Sequence, residues 1–136
     1  MQVTARRRQG YSHEVYFDGG HCMLVDEPES EGGTNEGPSP MQVLAAALAS
    51  CTAITVEMYA NRKDWNLGEF HVDVEMSTEG QEPRSFEVSL RLGCDLSDEQ
   101  LERLRQIAGK CPVHKALAGA TPIEISDRIE CRAADG

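Results

Sequence analysis

Cys111 stands in surroundings that favour thiol chemistry. Pro112 suits the first position of a helix, so Cys111 is predicted at the helix N-cap, beside unsatisfied N–H groups and the positive end of the helix dipole. Lys110 and His114 flank it, and positive charge on either favours the thiolate further. The local sequence therefore predicts a reactive thiol at Cys111. The alternative is an unreactive small residue that opens a helix.

Cys51 lies in the middle of an apolar, alanine-rich segment. Burial without a charged partner raises the pKa of a thiol and leaves it inert, so Cys51 taken alone is predicted to be structural. Reactivity would require a cation from elsewhere in the fold or from a second subunit. The spacing does not choose among the available arginines, which are Arg6, Arg7, Arg8 and Arg84.

The other three cysteines carry no such signal; they are Cys22, Cys94 and Cys131. The chain has five cysteines and no C-x-x-C pair, which is a poor match to a secreted disulfide framework. Reduced thiols are expected, and these three are predicted to be inert.

Cys111 and His114 also form a C-x-x-H pair, which is half of a typical zinc site. No second closely spaced pair of Cys or His completes it, so no metal or other cofactor is expected. A weaker alternative is a metal-binding protein in which Cys51, Cys111 and His114 are the ligands.

Length and charge limit the classes of function. The 136 residues, 40% of them apolar, fit a single domain that spans residues 1–136. The net charge of −10 repels a nucleic-acid backbone and an anionic membrane surface, so neither is an expected partner. No apolar run of the kind in an export signal follows the arginines near the start, and a cytoplasmic location is expected.

The first part of the chain is predicted to form three antiparallel strands. Residues 3–8, 11–17 and 22–25 are short segments separated by Gly10 and by a Gly-Gly pair, which favours tight turns. Residues 26–40 are rich in Glu, Gly, Pro and Ser, so this segment is predicted to be a mobile loop.

A long apolar helix is predicted from Pro40 to about Asn61. Ser39 and Gln42 have the spacing of a capping box, and Pro40 suits the first helical position. Apolar residues cover so much of the circumference that burial nearly all round is expected. The helix is almost long enough to cross a bilayer, but its alanines and polar residues indicate a buried core helix.

The alternation of apolar and polar residues over 70–76 and 86–92 predicts two amphipathic strands joined by a hairpin loop at 78–84. Ser97 and Gln100 form a second capping box, which predicts a helix that ends near Gly109. A short helix from Pro112 follows. A last strand is suggested by Ile123, Ile125 and Ile129. The order β-β-β-α-β-β-α-α-β predicts an α+β fold.

Two segments resemble the signature blocks of the OsmC/Ohr family, the osmotically inducible and organic-hydroperoxide-resistance proteins. The first is GPSPMQVLAAALASCTA at residues 37–53, and the second is KCPVH at residues 110–114. Their cysteines lie 111 − 51 = 60 positions apart, and the predicted element order is similar along essentially the whole chain. Two motifs at this separation are far more specific than either alone.

The resemblance implies an intertwined homodimer with long helices packed back to back and thiols near the subunit interface. It further implies that Cys51 attacks a small organic hydroperoxide and becomes a sulfenic acid, and that Cys111 then forms a disulfide with it. An external dithiol would reduce this disulfide, as part of oxidative-stress defence. This assignment of roles reverses the one that local electrostatics predicts.

One position departs from the family pattern. Strong peroxidases of the family have a Glu near the start of the long helix that holds an Arg against the reactive thiol, whereas this chain has Met41 and Gln42. Gln42 either binds an arginine or closes the capping box. Glu36 is an alternative carboxylate, Arg8 a candidate arginine and His114 a further supporting residue. The segment Pro-Ser-Pro-Met resembles the less-characterised OsmC-like branch.

Two functions from different classes follow. The first is thiol-dependent reduction of organic hydroperoxides, because an apolar site would favour an alkyl-bearing substrate. The second is a non-catalytic dimeric binding or redox-sensing module that has kept the fold and the thiols without the Glu.

Overall fold

The N-terminal strands form one small antiparallel sheet. The computed structural model describes residues 1–131, and its first sheet has the order β1 (Val3–Gln9), β2 (Ser12–Phe17), β3 (Cys22–Val25). Gly10 joins β1 to β2 with a φ of 56°, a left-handed conformation that glycine adopts without strain. The predicted three-stranded start is confirmed.

Asp26 organises the loop between β3 and the long helix. Its carboxylate is 1% exposed and accepts hydrogen bonds from the backbone N–H groups of Glu27, Thr34 and Glu36 and from the Thr34 hydroxyl. The bond from Glu36 N–H, opposed by burial and assisted by the others, lowers the pKa of this carboxyl. The loop, predicted to be mobile, is thus held by one buried carboxylate.

Helix α1 (Pro40–Arg62) begins as predicted, with a reciprocal capping box between Ser39 and Gln42. One stripe of the helix is buried, and it consists of Leu48, Thr52, Val56 and Ala60. The expectation of burial nearly all round is not met within the single chain, since Ile54 is 53% and Met58 63% exposed. The reason is that the elements packed on α1 come from one side.

The second sheet is a hairpin of β4 (Phe70–Glu79) and β5 (Glu82–Leu92). Its turn is tighter than the predicted loop, because Gly80 takes a φ of 62° and both strands extend toward it. The hairpin packs against α1, so the apolar side of its alternating pattern faces the helix.

Two shorter helices complete the domain. Helix α2 (Asp98–Ala108) has the predicted capping box of Ser97 and Gln100, and α3 (Pro112–Leu117) begins directly after Cys111. Both helices pack against α1. The core between α1 and α2 is a cluster of buried apolar side chains, namely Val56, Ala60, Leu67, Leu104 and Ala108.

The last predicted strand is not formed by the single chain. Residues 122–131 have no regular structure, and Ile123, Ile125 and Ile129 are 60%, 83% and 94% exposed. A strand requires a neighbouring sheet edge for its backbone hydrogen bonds, and neither sheet of the described chain pairs with this segment. The described order is therefore β-β-β-α-β-β-α-α, which is still an α+β fold.

Replacing Asp26 tests whether its charge holds the loop. Because the folded-state pKa is lowered, the stabilisation is present above the unfolded pKa of about 3.9 and is lost as the pH falls through the folded value. We expect Asp26→Asn to lower the thermal midpoint at pH 7 by several degrees and the difference from the parent to shrink at acidic pH. Calorimetry at several pH values measures both effects.

The matched control is Glu75→Gln, which changes an exposed carboxylate on β4. We expect it to change the free energy of unfolding by no more than about 0.5 kcal/mol. A difference for Asp26→Asn that stayed constant across the pH range would show that the charge is not what holds the loop.

Candidate thiol site

The structure brings Cys51 and Cys111 together. Cys51 lies in the middle of α1 and is half-buried, whereas Cys111 precedes α3 and is completely buried. Their side chains lie close enough for each thiol to shift the ionisation of the other, and α3 packs on α1 beside them. Two thiols 60 positions apart in sequence thus form one site, and all five cysteines are free thiols.

The two sulfurs differ in their electrostatic surroundings. Burial raises the pKa of the Cys51 thiol, and the hydrogen bond that it donates to Cys111 raises it further. Burial also acts to raise the pKa of Cys111, but the hydrogen bonds that its sulfur accepts outweigh burial and lower it overall. Of the two thiols, Cys111 is therefore the one that ionises more readily, in the direction that its local sequence predicted.

The groups that lower the pKa of Cys111 come from two elements. On α1 they are the Cys51 thiol and the Thr52 hydroxyl, and in the first turn of α3 they are the backbone N–H groups of Val113 and His114. These groups point toward one atom because the start of α3 lies against the middle of α1. The site can stabilise a thiolate without a neighbouring arginine.

Sequence reasoning missed the two threonines of the site. Thr52 contacts Cys111, and the Thr55 hydroxyl is hydrogen-bonded to Cys51 and lowers its pKa against the effect of burial. For Thr55 the available signal was its spacing, because residues four apart share one helix face and Thr55 follows Cys51 by one turn. For Thr52 the local sequence carries no signal, because Cys111 belongs to a different element. Hydroxyls beside a thiol in an otherwise apolar helix indicate hydrogen bonds to sulfur.

Gln42 does not bind an arginine. Its Oε1 accepts from Ser39 N–H at 2.9 Å, and its own N–H donates to Ser39 Oγ at 3.2 Å, so the side chain is committed to the capping box. Of the two roles open to Gln42, the structural one is observed.

Arg8 and Glu36 meet each other, 3.5 Å apart between Nη1 and Oε2. Arg8 also donates to Ser12 Oγ at 3.3 Å and lies 3.6 Å from Glu14. In the described residues of the single chain the partners of Arg8 are thus a hydroxyl and carboxylates rather than a thiol. Arg84, another candidate, pairs with Glu79 and Glu82 on its own hairpin, so the ion pairs of Arg8 and Arg84 in the described residues involve carboxylates and neither thiol.

A groove of about 320 Å³ lies between α1, β5 and α3. Its walls combine the apolar side chains of Leu48, Phe86, Val88 and Leu117 with those of Arg84 and His114. Leu48 is one turn before Cys51, and His114 is one turn after Cys111, so the groove is lined by residues one helical turn away from each thiol.

Cys51, Cys111 and His114 do not form a metal-binding group, and residues 1–131 contain no cluster of three or more His, Cys, Asp or Glu side chains that could hold a metal ion.

A long helix packed on a β-hairpin, with one thiol on that helix and a second at the start of a short crossing helix, defines a two-cysteine α+β domain. The family model described as OsmC-like protein matches residues 33–126, which is more than half of the chain. The protein belongs to the OsmC-like family.

Solved structures support this fold assignment. A putative osmotic stress induced and detoxification response protein from Psychrobacter arcticus 273-4 is 18% identical with a TM-score of 0.77, covering 85% of this chain and 87% of its own. The OsmC-like protein from Mycoplasma pneumoniae is 19% identical with a TM-score of 0.75, covering 87% and 86%. No curated protein matches the chain.

A third similar structure was solved with a small molecule bound. It is a putative organic hydroperoxide resistance protein from Vibrio cholerae O1 biovar eltor, with captopril bound in one of its active sites. Its identity to this chain is 25% and its TM-score 0.62, over 88% of this chain and 85% of its own.

Helix α1 is long and apolar enough to cross a membrane by length and composition alone. Its buried residues, however, form the core with α2, and the OsmC-like fold is a soluble domain. We therefore assign α1 as the core helix of a soluble protein.

Mild oxidation tests the proximity of the two thiols. We expect diamide to convert the five free thiols to three and to link Cys51 to Cys111, because their side chains are already in contact. A disulfide that closes a loop of roughly 60 residues stabilises a chain by about 4 kcal/mol. Thiol titration, peptide mapping and a denaturant titration measure the three effects.

Cys51→Ser and Cys111→Ser should each abolish the disulfide, whereas Cys22→Ser, which changes an exposed thiol on β3, should leave it intact. A dominant disulfide that contained Cys22 would contradict the assignment of the site.

Proposed function

We propose that this protein reduces organic hydroperoxides with Cys51 and Cys111 as its catalytic thiols. The observation that carries the proposal is the proximity of the two thiols across α1 and the start of α3. Membership of the OsmC-like family and the similarity to a putative organic hydroperoxide resistance protein support a role in the response to peroxide stress.

The proposed reaction begins with a proton transfer. Cys51 passes its proton to the neighbouring Cys111 thiolate, which acts as the general base. The Cys51 thiolate then attacks the terminal oxygen of ROOH, so that an S–O bond forms and the O–O bond breaks. The products are a Cys51 sulfenic acid and RO⁻, and RO⁻ takes the proton from Cys111 to leave as the alcohol ROH.

The second stage closes the disulfide. Cys111, again a thiolate, attacks the Cys51 sulfur, the S–S bond forms and hydroxide leaves, taking a proton from solvent to become water. The two thiols are oxidised by two electrons and the peroxide is reduced. An external dithiol then reduces the disulfide by two thiol exchanges, with Cys111 as the leaving thiolate.

The groove beside the thiols supports an alkyl-bearing substrate. Leu48, Phe86 and Leu117 offer apolar contacts to the R group of ROOH, and hydrogen peroxide has no such group to bury. We therefore propose organic hydroperoxides as the preferred class, and the cytoplasm, where thiols stay reduced, as the location.

Peroxide consumption tests this function. We expect cumene hydroperoxide to remove two thiols per reduced chain, and dithiothreitol to sustain turnover that is faster than with hydrogen peroxide. Cys51→Ser should abolish consumption, and Cys111→Ser should stop after the sulfenic acid forms. Cys94→Ser is the matched control and should retain turnover. Survival of both thiols in a stoichiometric excess of hydroperoxide would end the proposal.

One observation favours the second function, a redox-sensing or binding module. No carboxylate stands at the start of α1, Gln42 is committed to its capping box, and burial raises the pKa of Cys51. A sensor needs one oxidation and no rapid cycle. In the same assay, a disulfide that forms once without turnover in dithiothreitol would favour this alternative.

We also propose that the protein acts as a homodimer. Ile54 and Met58 project from α1 and are mostly exposed, and the apolar face of the first sheet and the isoleucines of residues 123–129 are uncovered as well. A second copy that covers these surfaces supplies the missing burial of α1 and a sheet edge for the unpaired segment. In this dimer Arg8 and Glu36 of one protomer are candidates to approach the partner's thiols.

A charge on the exposed side of α1 tests the dimer. We expect the double variant Ile54→Glu, Met58→Glu to sediment as a monomer, because two carboxylates at an apolar interface cannot be desolvated without a large cost. Ser89→Glu, on the exposed face of β5, is the control and should sediment as a dimer. A dimer that survived the double substitution would exclude this face of α1 from the interface.

A further inference from the structure

Thr52 is a polar residue in an otherwise apolar buried stripe. The other members of the stripe are Leu48, Val56 and Ala60, and Thr52 is 1% exposed. Valine has almost the same shape and would fill the position without a hydroxyl. A buried hydroxyl reduces stability unless it has a partner, so its presence at this position requires an explanation.

The usual partner of a helical threonine is not used here. In a helix the hydroxyl of Ser or Thr commonly bonds to the carbonyl three or four residues earlier. Ser50, two residues away on the same helix, does so, with Oγ 2.8 Å from the carbonyl of Ala46. Thr52 Oγ1 makes no aligned hydrogen bond of this kind and is the buried polar side-chain atom without a partner in the described part of the chain.

The hydroxyl of Thr52 instead lies within range of the Cys111 sulfur. Thr52 Oγ1 makes no hydrogen bond of standard geometry, and a neutral thiol is a weak acceptor. A thiolate accepts far more strongly, since hydrogen bonds to a charged group are shorter and stronger than neutral ones. Both residues are shielded from water, at 1% and 0% exposure, so no solvent competes for the hydroxyl proton.

We propose that Thr52 is a positioning residue: its hydroxyl donates to the Cys111 sulfur when that sulfur is charged, and so holds the negative charge of the thiol pair on Cys111. This inference deepens the proposed function, because the pair is the proposed catalytic site. A charge held on Cys111 has two uses in that cycle, as the base that takes the Cys51 proton and as the leaving thiolate when a dithiol reduces the disulfide.

The other groups around Cys111 are few. Cys51 on α1 is the titratable group that bonds to it, and the N–H groups of Val113 and His114 come from α3. Lys110 and the His114 ring are the charged or titratable neighbours on its own segment. Each of these is unchanged when Thr52 is replaced, which makes the hydroxyl separable by mutation.

The test is the ionisation of the thiol pair in the full chain. With Cys22, Cys94 and Cys131 replaced by Ser, thiolate absorbance near 240 nm is followed against pH in the reduced protein. We expect Thr52→Val to raise the midpoint of the first ionisation by about one pH unit, because loss of one hydrogen bond to a charged group changes an ionisation constant by about tenfold. Thr52→Ser, which keeps the hydroxyl, should have the same midpoint of the first ionisation as the parent.

A structural role would give a different result. Thr52→Val should keep or increase the thermal midpoint, since it removes an unpartnered buried hydroxyl, and Ser50→Ala should leave the ionisation unchanged because Ser50 bonds to its own helix. An unchanged ionisation midpoint in Thr52→Val, or equal shifts in the Val and Ser variants, would overturn the inference.

The titration uses no peroxide, so the inference and the proposed function fail separately. If the parent thiols ionise and respond to Thr52→Val as expected but survive an excess of cumene hydroperoxide, the peroxidase proposal fails and the role of Thr52 stands. If turnover is observed and its pH profile is identical in the parent and in Thr52→Val, the role of Thr52 fails and the peroxidase stands.

Discussion

The proximity of the Cys51 and Cys111 thiols depends on one packing constraint, the contact of α3 with the middle of α1. Cys51 is carried by a helix that is fixed by its core contacts with α2 and the hairpin. Cys111 is the residue directly before α3, so its sulfur also lies beside the N–H groups of that helix. A shift of α3 would separate the sulfurs and remove these donors together.

This arrangement places the charge and the proposed point of attack on different sulfurs. The Cys111 sulfur accepts most of the hydrogen bonds, whereas Cys51 is the donor within the pair and is the less buried of the two. A buried thiolate that is not itself the attacking atom still serves as a base and a leaving group. The local electrostatic prediction and the family-derived roles are compatible in this scheme, because ionisation and nucleophilic attack are assigned to different steps.

A second constraint is the set of contacts that Asp26 and Glu36 make in the loop between β3 and α1. Asp26 binds the N–H of Glu36, and Glu36 faces Arg8 on β1. The pairing of Arg8 with a carboxylate is thus present, although the helix itself begins with Met41 and Gln42 instead of Glu. Where this pair lies relative to a thiol depends on the proposed dimer, because Arg8 and Glu36 belong to surfaces that a second copy would approach.

The amino-acid sequence by itself determined the local elements and the family. Capping boxes at Ser39 and Ser97, the turn at Gly10 and the two alternating strands are short-range signals, because each rests on contacts within a few residues. The two cysteine motifs likewise identified the family, which the match over residues 33–126 confirms. The N-cap position of Cys111 was also predictable from Pro112 alone.

Tertiary structure decided which groups meet. The partners of Cys111 come from α1 and α3, so Thr52 became visible as a site residue only when the two helices were packed together. The same holds for the exposure of Ile54 and for the unpaired segment around Ile125, since the apolar pattern predicts burial but does not say whether one chain or two provide it. Contacts between distant residues depend on packing, and local sequence carries no record of that packing.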